Sequence, residues 1–477
     1  MLEASSPHSG FGESSILRIN DAGSVVPVIL LKGLSPMANL MPKSVPYLVA
    51  NEGAERFSYY GNNVILMVYM TGALIGMSEG EAAGWIHLFK GAVYFFPLFG
   101  ALLADVFWGK YRTIFWLSLV YCLGHLIMAL PGSWFQDLRV PLFWGLAFIA
   151  LGSGGIKSCA SALVGDQFTA ENQHLMNRVY NWYYLAINIG AFISSLLTPW
   201  LLKHYGPEWA FGVPGVLMGV ATLIFWLGRK KYRVAKASGK SFLKDLTDRA
   251  SLWCLGKISL VFVFLIIFWS VYDQNSTRCV EQAQAMNPHP FEAWSFLPAS
   301  IRAFEVLPSQ MQAVNPFLIL VLIPIFTHWV YPWWNRVLGP STLLKIAVGL
   351  FLLVAGSLFP LWFESARASG TVLNIAWQFP AYVVVTIAEV LVSVTSLEFA
   401  YTQAPRTMKS LVMGVYLLTI TMGNWLTAGV NFLSQVFPTY LTGIGYFRFF
   451  LVLALANAVL FLFVARYYKE ETILQEE

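Results

Sequence analysis

The segment ANEGAERFSYYGNN, residues 50–63, holds two glutamates and an arginine inside an otherwise apolar run. Read as an α-helix, it places Glu52, Glu55, Arg56, Tyr59, Tyr60 and Asn63 at i, i+3, i+4, i+7, i+8 and i+11, one face about two side chains wide per turn. Val49, Phe57, Val64 and Ile65 take the other faces. A further charge sits inside a later apolar stretch, Lys157 in ALGSGGIKSCASALVGDQF (150–168). Two carboxylates, a guanidinium and an ammonium sum to zero charge, and one added proton leaves the set at +1. The chemistry open to such a cluster is proton exchange. A protonated glutamate loosens its hold on a cation, and Lys157 or Arg56 can then bind an anionic group of a ligand. The plainer alternative is a static ion-pair network between two helices, although buried charge stabilises poorly compared with apolar packing.

Composition says where these groups must be held. The 477 residues are 57% hydrophobic, 16% aromatic and only 12% charged, with a mean hydropathy of +0.61. A soluble domain carries about 25% charged residues, so this reads as a polytopic membrane protein bound to a lipid bilayer. Twelve apolar stretches between residues 46 and 467 approach the ~20 residues needed to cross a ~30 Å hydrocarbon core. The run VVPVILL near the N-terminus is too short to span and is broken by Pro27, so no cleavable signal sequence is expected. Lys110 and Arg112, Arg336 and Lys345, Arg406 and Lys409, and Arg466 and Lys469 lie in alternate loops or at the end. The densest basic run, GRKKYRVAKASGKSFLKDLTDR (228–249), follows the sixth span. The positive-inside rule makes these loops and both termini cytoplasmic. MSEGEA (77–82) and the segment from Arg278 to Met311 fall on the opposite side.

The expected organisation is therefore all-α: a cytoplasmic tail at 1–45, a six-helix bundle at 46–230, a basic cytoplasmic linker at 231–252, a second six-helix bundle at 253–468 and a tail at 469–477. Twelve transmembrane helices in two such bundles is the architecture of the major facilitator superfamily, whose ligand sites lie between the halves near mid-membrane. Nucleotide-driven transport is disfavoured, because ADVFWGKY has Ala104 where a phosphate-binding loop needs its first glycine. Cys122, Cys159, Cys254 and Cys279 are scattered and suggest neither a disulfide framework nor a zinc site. No H-E-x-x-H, serine–histidine pairing or metal-ligand cluster falls in the spans, so an enzyme and a bound cofactor or metal are not expected. Further ionisable residues within spans include His87, Asp105, His125, Asp273, Glu389 and Glu398. Each central charge costs on the order of 2.5–3.5 kcal/mol to insert, which points to a pathway. His125 and Glu398 read more simply as satisfied polar groups between helices. Gly152, Gly154 and Gly155 read as close helix packing, and Trp333 and Trp334 as interface anchors.

NEGAERFSYYG resembles the E-x-x-E-R-F-x-Y-Y-G signature of the proton-coupled oligopeptide transporter family. GALLADVFWGKYRT (100–113), the Lys157 block, YYLAINIGAF (183–192), AFGVPGVLM (210–218), FWSVYDQNSTR (268–278), MQAVNPF (311–317) and EVLVSVTSLEFAYTQAP (389–405) resemble successive blocks of that family, in order. The resemblance implies symport of di- and tripeptides with protons by alternating access, in a monomer that needs no cofactor and binds no nucleic acid. It implies proton coupling by Glu52, Glu55, Arg56 and Lys157, with His87 as a further proton site. It implies a peptide site of Arg56, Tyr59, Tyr60, Tyr94, Lys157, Tyr184 and Asn188 in the first half and Trp269, Asn315, Glu389, Ser393 and Tyr416 in the second. Glu389 is then the partner of the peptide's amino terminus, and Arg56 and Lys157 face its carboxylate. It further implies a cytoplasmic gate with Asp105 and Lys110, and an extracellular one with Asp273 and, as a substitute, Arg278.

Three positions depart from the family pattern. Asn63 stands where many members have an arginine paired with the acidic residue of the seventh span, here Asp273, so Arg278 is considered as a local substitute. Ser158 replaces a proline after the lysine, and Tyr416 a tryptophan. His87 has a second reading as a hydrogen-bonded imidazole near the extracellular end, and Lys90, about one turn later, would oppose a proton there if it faced the same way. A zwitterionic peptide is a dipole of fixed length, so an anion on one wall and cations on the other would read every dipeptide alike. Relatives that carry nitrate or drug-like anions make those substrates an alternative, which Glu389 opposes by repulsion. A non-transporting sensor is another. A proton-driven importer is expected in a plasma membrane or a bacterial inner membrane.

Overall fold

The computed structural model describes residues 41–169, 171–234, 249–403 and 409–468. The expected N-terminal tail (but for its last few residues), most of the basic linker and the C-terminal tail lie outside the described residues. Among the described residues twelve long helices carry the fold: α1 (Val45–Thr71), α3 (Lys110–Ala129), α7 (Arg249–Tyr272), α9 (Thr342–Ala368), α11 (Lys409–Val436) and α12 (Gly443–Tyr467), with α2 (Glu79–Trp108), α4 (Arg139–Gly165), α5 (Gln173–Tyr205), α6 (Pro207–Lys230), α8 (Pro308–Val337) and α10 (Ile375–Ala400). Among the described residues ten of the helices are long and apolar enough to cross a membrane. The other two, α1 and α11, have the length, at 27 and 28 residues, but are interrupted by polar side chains. An isolated bridge between Asn287 and Asn374 is the extent of β-pairing among those residues.

Local chemistry sets the helix ends. Ser78 caps α2 by accepting from the Glu81 N–H at 3.2 Å, and Glu79 and Glu81 complement the helix dipole in its first turn. Gly109, at φ 75°, makes the reversal between α2 and α3 that an L side chain would resist. Lys203 and His204 sit in the last turn of α5, before Gly206 at φ 88°.

Helix packing falls into two sets. α1 packs on α5 and α6, α3 on α4 and α6, and α2 on α4; α9 packs on α10 and α12, and α7 on α11 and α12. The sets meet where α2 lies along α11 and α5 along α8. Small residues make both faces of α2. A Cβ on Gly100 would lie 2.1 Å from the Gly154 carbonyl oxygen, and one on Gly154 2.8 Å from that of Phe96, so α2 and α4 touch backbone to backbone. Gly155 and Gly152 face the α3 backbone in the same way, at 2.9 Å from Thr113 O and 2.6 Å from Tyr121 N. On the other face of α2, Gly80, Gly84 and Gly91 receive the side chains of Ser434, Phe432 and Trp425 from α11. Trp333 is 58% exposed, as an interface anchor should be, but Trp334 is 7% exposed and packs inward.

Candidate functional site

The α1 stripe points inward. Glu52 and Glu55 are 2% and 0% exposed and Arg56 8%. Arg56 Nε donates to Glu52 Oε1 at 2.8 Å, and the Tyr183 hydroxyl of α5 donates to Glu52 Oε2 at 2.5 Å. Glu55 Oε2 lies 2.6 Å from the same Arg56 nitrogen. That nitrogen has one N–H, which is directed at Glu52, so neither Glu55 oxygen has a hydrogen-bond partner. Lys157 of α4 does not complete the pairing with a carboxylate. Its ammonium lies 4.1 Å from the ring centroid of Tyr59 and 3.9 Å from that of Tyr94, held by two aromatic faces, and Nζ has no hydrogen-bond partner.

Beyond those rings is a cavity of about 300 Å³ between the two helix sets. Tyr59, Tyr60, Tyr94, Tyr184 and Asn188 line it from the first half, and Trp269, Asn315, Glu389 and Ser393 from the second. Glu389 Oε2 accepts from Asn315 Nδ2 at 2.7 Å. The α10 ladder changes directly after Glu389 into a π-turn, Val390–Val394, a feature that recurs at functional sites and here sets Ser393 on the same wall. Arg56 and Lys157 stand behind the tyrosines rather than in the lining. Tyr416 is buried against Phe262 and Trp269, with ring centroids at 5.8 and 6.5 Å, also outside the lining.

The expected gate residues are distributed over both ends. Near the α2–α3 turn, Lys110 donates to Asp166, just past the end of α4, at 2.7 Å, a residue the sequence reading did not single out, while Asp105 lies in the π-turn Ala104–Trp108. At the Ser78 end, Arg278 donates to Glu281 at 2.8 Å and to Asn431 at 3.0 Å, and does not reach over to Asp273 in any hydrogen bond of its own. Asp273 is instead held by Lys90 Nζ at 2.6 Å and Asn424 Nδ2 at 2.7 Å. Asn63 Oδ1 has no partner. His87, fully buried, faces Asn424 Oδ1 through Nδ1 and Thr277 Oγ1 through Nε2, both at 2.9 Å. Asn424 Nδ2 is committed to Asp273 and to the Ile420 carbonyl, so its oxygen is the acceptor and His87 Nδ1 carries the proton.

Tyr183, Thr277, Asn424 and Gln312 are neighbours of the candidate site that the sequence reading did not name, and Lys90, named there only as a neighbour of His87, binds Asp273. Tyr183 was inside a recognised block, one position before Tyr184, and the two adjacent tyrosines serve different neighbours: one a carboxylate, the other the cavity. Lys90 carried a signal as an isolated ammonium within a span. Gln312 of α8 donates to the Val64 carbonyl of α1 at 3.1 Å, joining the halves above the cavity.

A helical bundle with a charged cavity between two halves defines a multi-pass membrane protein of the major facilitator fold. The chain belongs to the POT family: the family profile described as PTR2, POT family, matches residues 111–260 and 247–445. It is 35% identical over 358 residues to peptide transporter family 1 of Drosophila melanogaster, across 66% of this chain and 46% of that protein. It is 33% identical over 356 residues to solute carrier family 15 member 2 of Homo sapiens, across 65% of this chain and 47% of that one. The chain thus spans about half the length of the curated relatives it matches. Among solved structures, an auto-inhibited POT family peptide transporter superposes with a TM-score of 0.80 at 32% identity, over 91% of this chain and 99% of that chain. The POT family transporter PepTSo does so with a TM-score of 0.78 at 31% identity, over 89% and 98%.

Proposed function

We propose that this chain carries di- and tripeptides across a membrane together with protons, by alternating access between two six-helix halves, residues 46–230 and 253–468. The observation that carries the reading is the asymmetry of the cavity. Glu389 stands on the α10 wall, and behind the tyrosines of the facing wall is an ammonium, Lys157, with no hydrogen-bond partner. A peptide's amino terminus has its anion in Glu389, hydrogen-bonded by Asn315. Its carboxylate is drawn toward Tyr59 and Tyr94 and the cation they enclose. The names of the relatives, peptide transporters among them, support the same substrate class.

Coupling then follows from competition. Glu52 and Glu55 share Arg56; a proton on either weakens that hold and leaves Arg56 and Lys157 to the ligand's carboxylate. Ligand and proton must favour some conformations over others for this to drive transport. The bonds joining the halves at the Ser78 end, among them Lys203 to Glu305 at 2.6 Å and Gln310 to the Leu196 carbonyl at 2.9 Å, support reading that end as closed, and the distribution of basic loops supports reading it as extracellular. The termini are then cytoplasmic, and the protein acts as a monomer in a plasma or bacterial inner membrane. Proteoliposomes under an imposed pH gradient and potential test this. Labelled dialanine should accumulate, with about 2.3 kcal/mol, or ~50-fold, for each charge crossing 100 mV. Unlabelled tripeptides should compete, and nitrate should not. Binding without accumulation, or displacement by nitrate in place of peptides, would refute it.

A further inference from the structure

Asn63 leaves the α1 side of the interface without a cation, yet Asp273 is not unpaired. Lys90, from α2, crosses from the first half to the second and donates to Asp273 Oδ1 at 2.6 Å and to Ser276 Oγ at 2.9 Å. The two side chains are 8% and 13% exposed. The other Asp273 oxygen is occupied by Asn424, which also binds His87, and His87 binds Thr277. Two helices, α2 and α11, and the turn that follows α7 therefore converge from both halves on one carboxylate, and each polar group in the set has a partner. The contact depends on how near α2 comes to α11: at Gly91, next to Lys90, a Cβ would lie 2.2 Å from Trp425 Nε1.

Lys90, Asp273, Ser276 and Asn63 also line the cavity, so this pair forms its roof. We propose that Lys90 is a latch cation that closes the cavity roof at the Ser78 end, beside the peripheral Lys203–Glu305 and Arg367–Glu79 pairs, in the place an α1 cation at position 63 would otherwise fill. The inference rests on the alternating-access reading. An ion pair held by two halves has to separate when that end opens. Removing one partner of a buried pair leaves an uncompensated charge, which strongly disfavours the closed state. The latch also faces the ligand, so a peptide long enough to reach the roof meets the groups that hold the halves together.

Double electron–electron resonance between spin labels on Leu74 and Val372, exposed residues of the first and second halves at this end, reads the closure directly in the full chain and without peptide. The wild type should give a short distance. Lys90→Met and Asp273→Asn should each shift the open-to-closed ratio by ~100-fold or more, and the double variant should be no more open than either single one. Adding Asn63→Arg to Lys90→Met should restore the short distance. An unchanged distribution in both single variants overturns the latch, and a failed rescue by Asn63→Arg overturns the equivalence with an α1 cation. Lys90→Arg, which keeps the charge, should stay closed, and an open distribution in it overturns the assignment to charge. A protein that shows these shifts yet carries no dialanine would remove the proposed function and leave the latch standing.

Discussion

Two buried charged clusters of this molecule differ in how fully they are satisfied. In the cluster of α1, α4 and α5, Arg56 stands against two carboxylates, Glu55 has no hydrogen-bond partner and the Lys157 ammonium rests between two rings. In the cluster of α2, α7 and α11, Lys90, Asp273, Ser276, Asn424, His87 and Thr277 each have at least one hydrogen bond within the set. A buried polar group without a partner costs ~1–3 kcal/mol, and more if charged, so the first cluster gains free energy from an arriving proton or carboxylate. A satisfied network gains nothing from such a visitor and resists rearrangement. On the proposed reading, the first region senses the state of the cycle and the second holds it.

The largest test of that contrast is Lys157→Ala. It removes the unpartnered cation, so the ~50-fold accumulation that one proton and 100 mV can sustain should fall to about 1. Counterflow of peptide, which needs binding but no gradient, should remain measurable. Accumulation persisting in this variant under a pH gradient would place the coupling outside the first cluster. Glu389→Gln comes next. It exchanges a charged partner for a neutral one, worth ~1.5–3 kcal/mol, and should raise the KM for dialanine ~10–150-fold. N-acetyl-dialanine, which lacks the amino charge, should lose little, and equal losses for the two peptides would move the amino-terminal site elsewhere.

Tyr183→Phe probes the part of the first cluster that is satisfied. Its hydroxyl donates to Glu52 at 2.5 Å, and a hydrogen bond to a charged group contributes ~1.5–3 kcal/mol. Once it is lost, Glu52 depends on Arg56 alone. Gradient-driven uptake should drop ~10-fold, with dialanine affinity changed less than twofold as measured by competition. An equal loss in both would make Tyr183 a ligand contact.

Much of this was legible in the sequence because the relevant signals are local. The 3.6-residue period puts Glu52, Glu55 and Arg56 on one face, and the cost of charge in a bilayer flags Glu389 and Lys157 wherever their partners lie. Pairings across the fold were not legible. Lys90 and Asp273 are 183 residues apart, and only the packing of α2 across the interface brings them together. Lys110 has Asp105 close by in sequence, but binds Asp166, which α4 delivers from 56 residues away. The aromatic enclosure of Lys157 has no sequence period at all, since Tyr59 and Tyr94 come from two helices and the lysine from a third. Helix-phase arguments say which face a residue is on, and not which neighbour it finds there.

The smallest expected effect separates the two faces of α2. Toward α4 the contact is backbone on backbone, with the Gly154 oxygen 2.1 Å from where a Gly100 Cβ would be. Toward α11 a Gly91 Cβ would meet the Trp425 ring at 2.2 Å, with the Thr421 carbonyl oxygen farther off at 3.2 Å. A backbone cannot yield without moving its helix, whereas an indole that is 38% exposed can swing aside. Gly100→Ala should therefore cost ~1–3 kcal/mol of overpacking and lower Tm in detergent. Gly91→Ala should change Tm little, because ~0.5–1 kcal/mol from helix propensity offsets the displaced ring. The Leu74–Val372 distance should stay short, because a ring that swings aside leaves α2 and Lys90 in place. On the proposed reading, contacts inside one half can be rigid because they never open, and contacts between halves must be built from side chains that can part. Equal Tm losses at the two glycines would mean that α2 is bound as firmly to α11 as to α4, which the proposed opening of that interface does not allow.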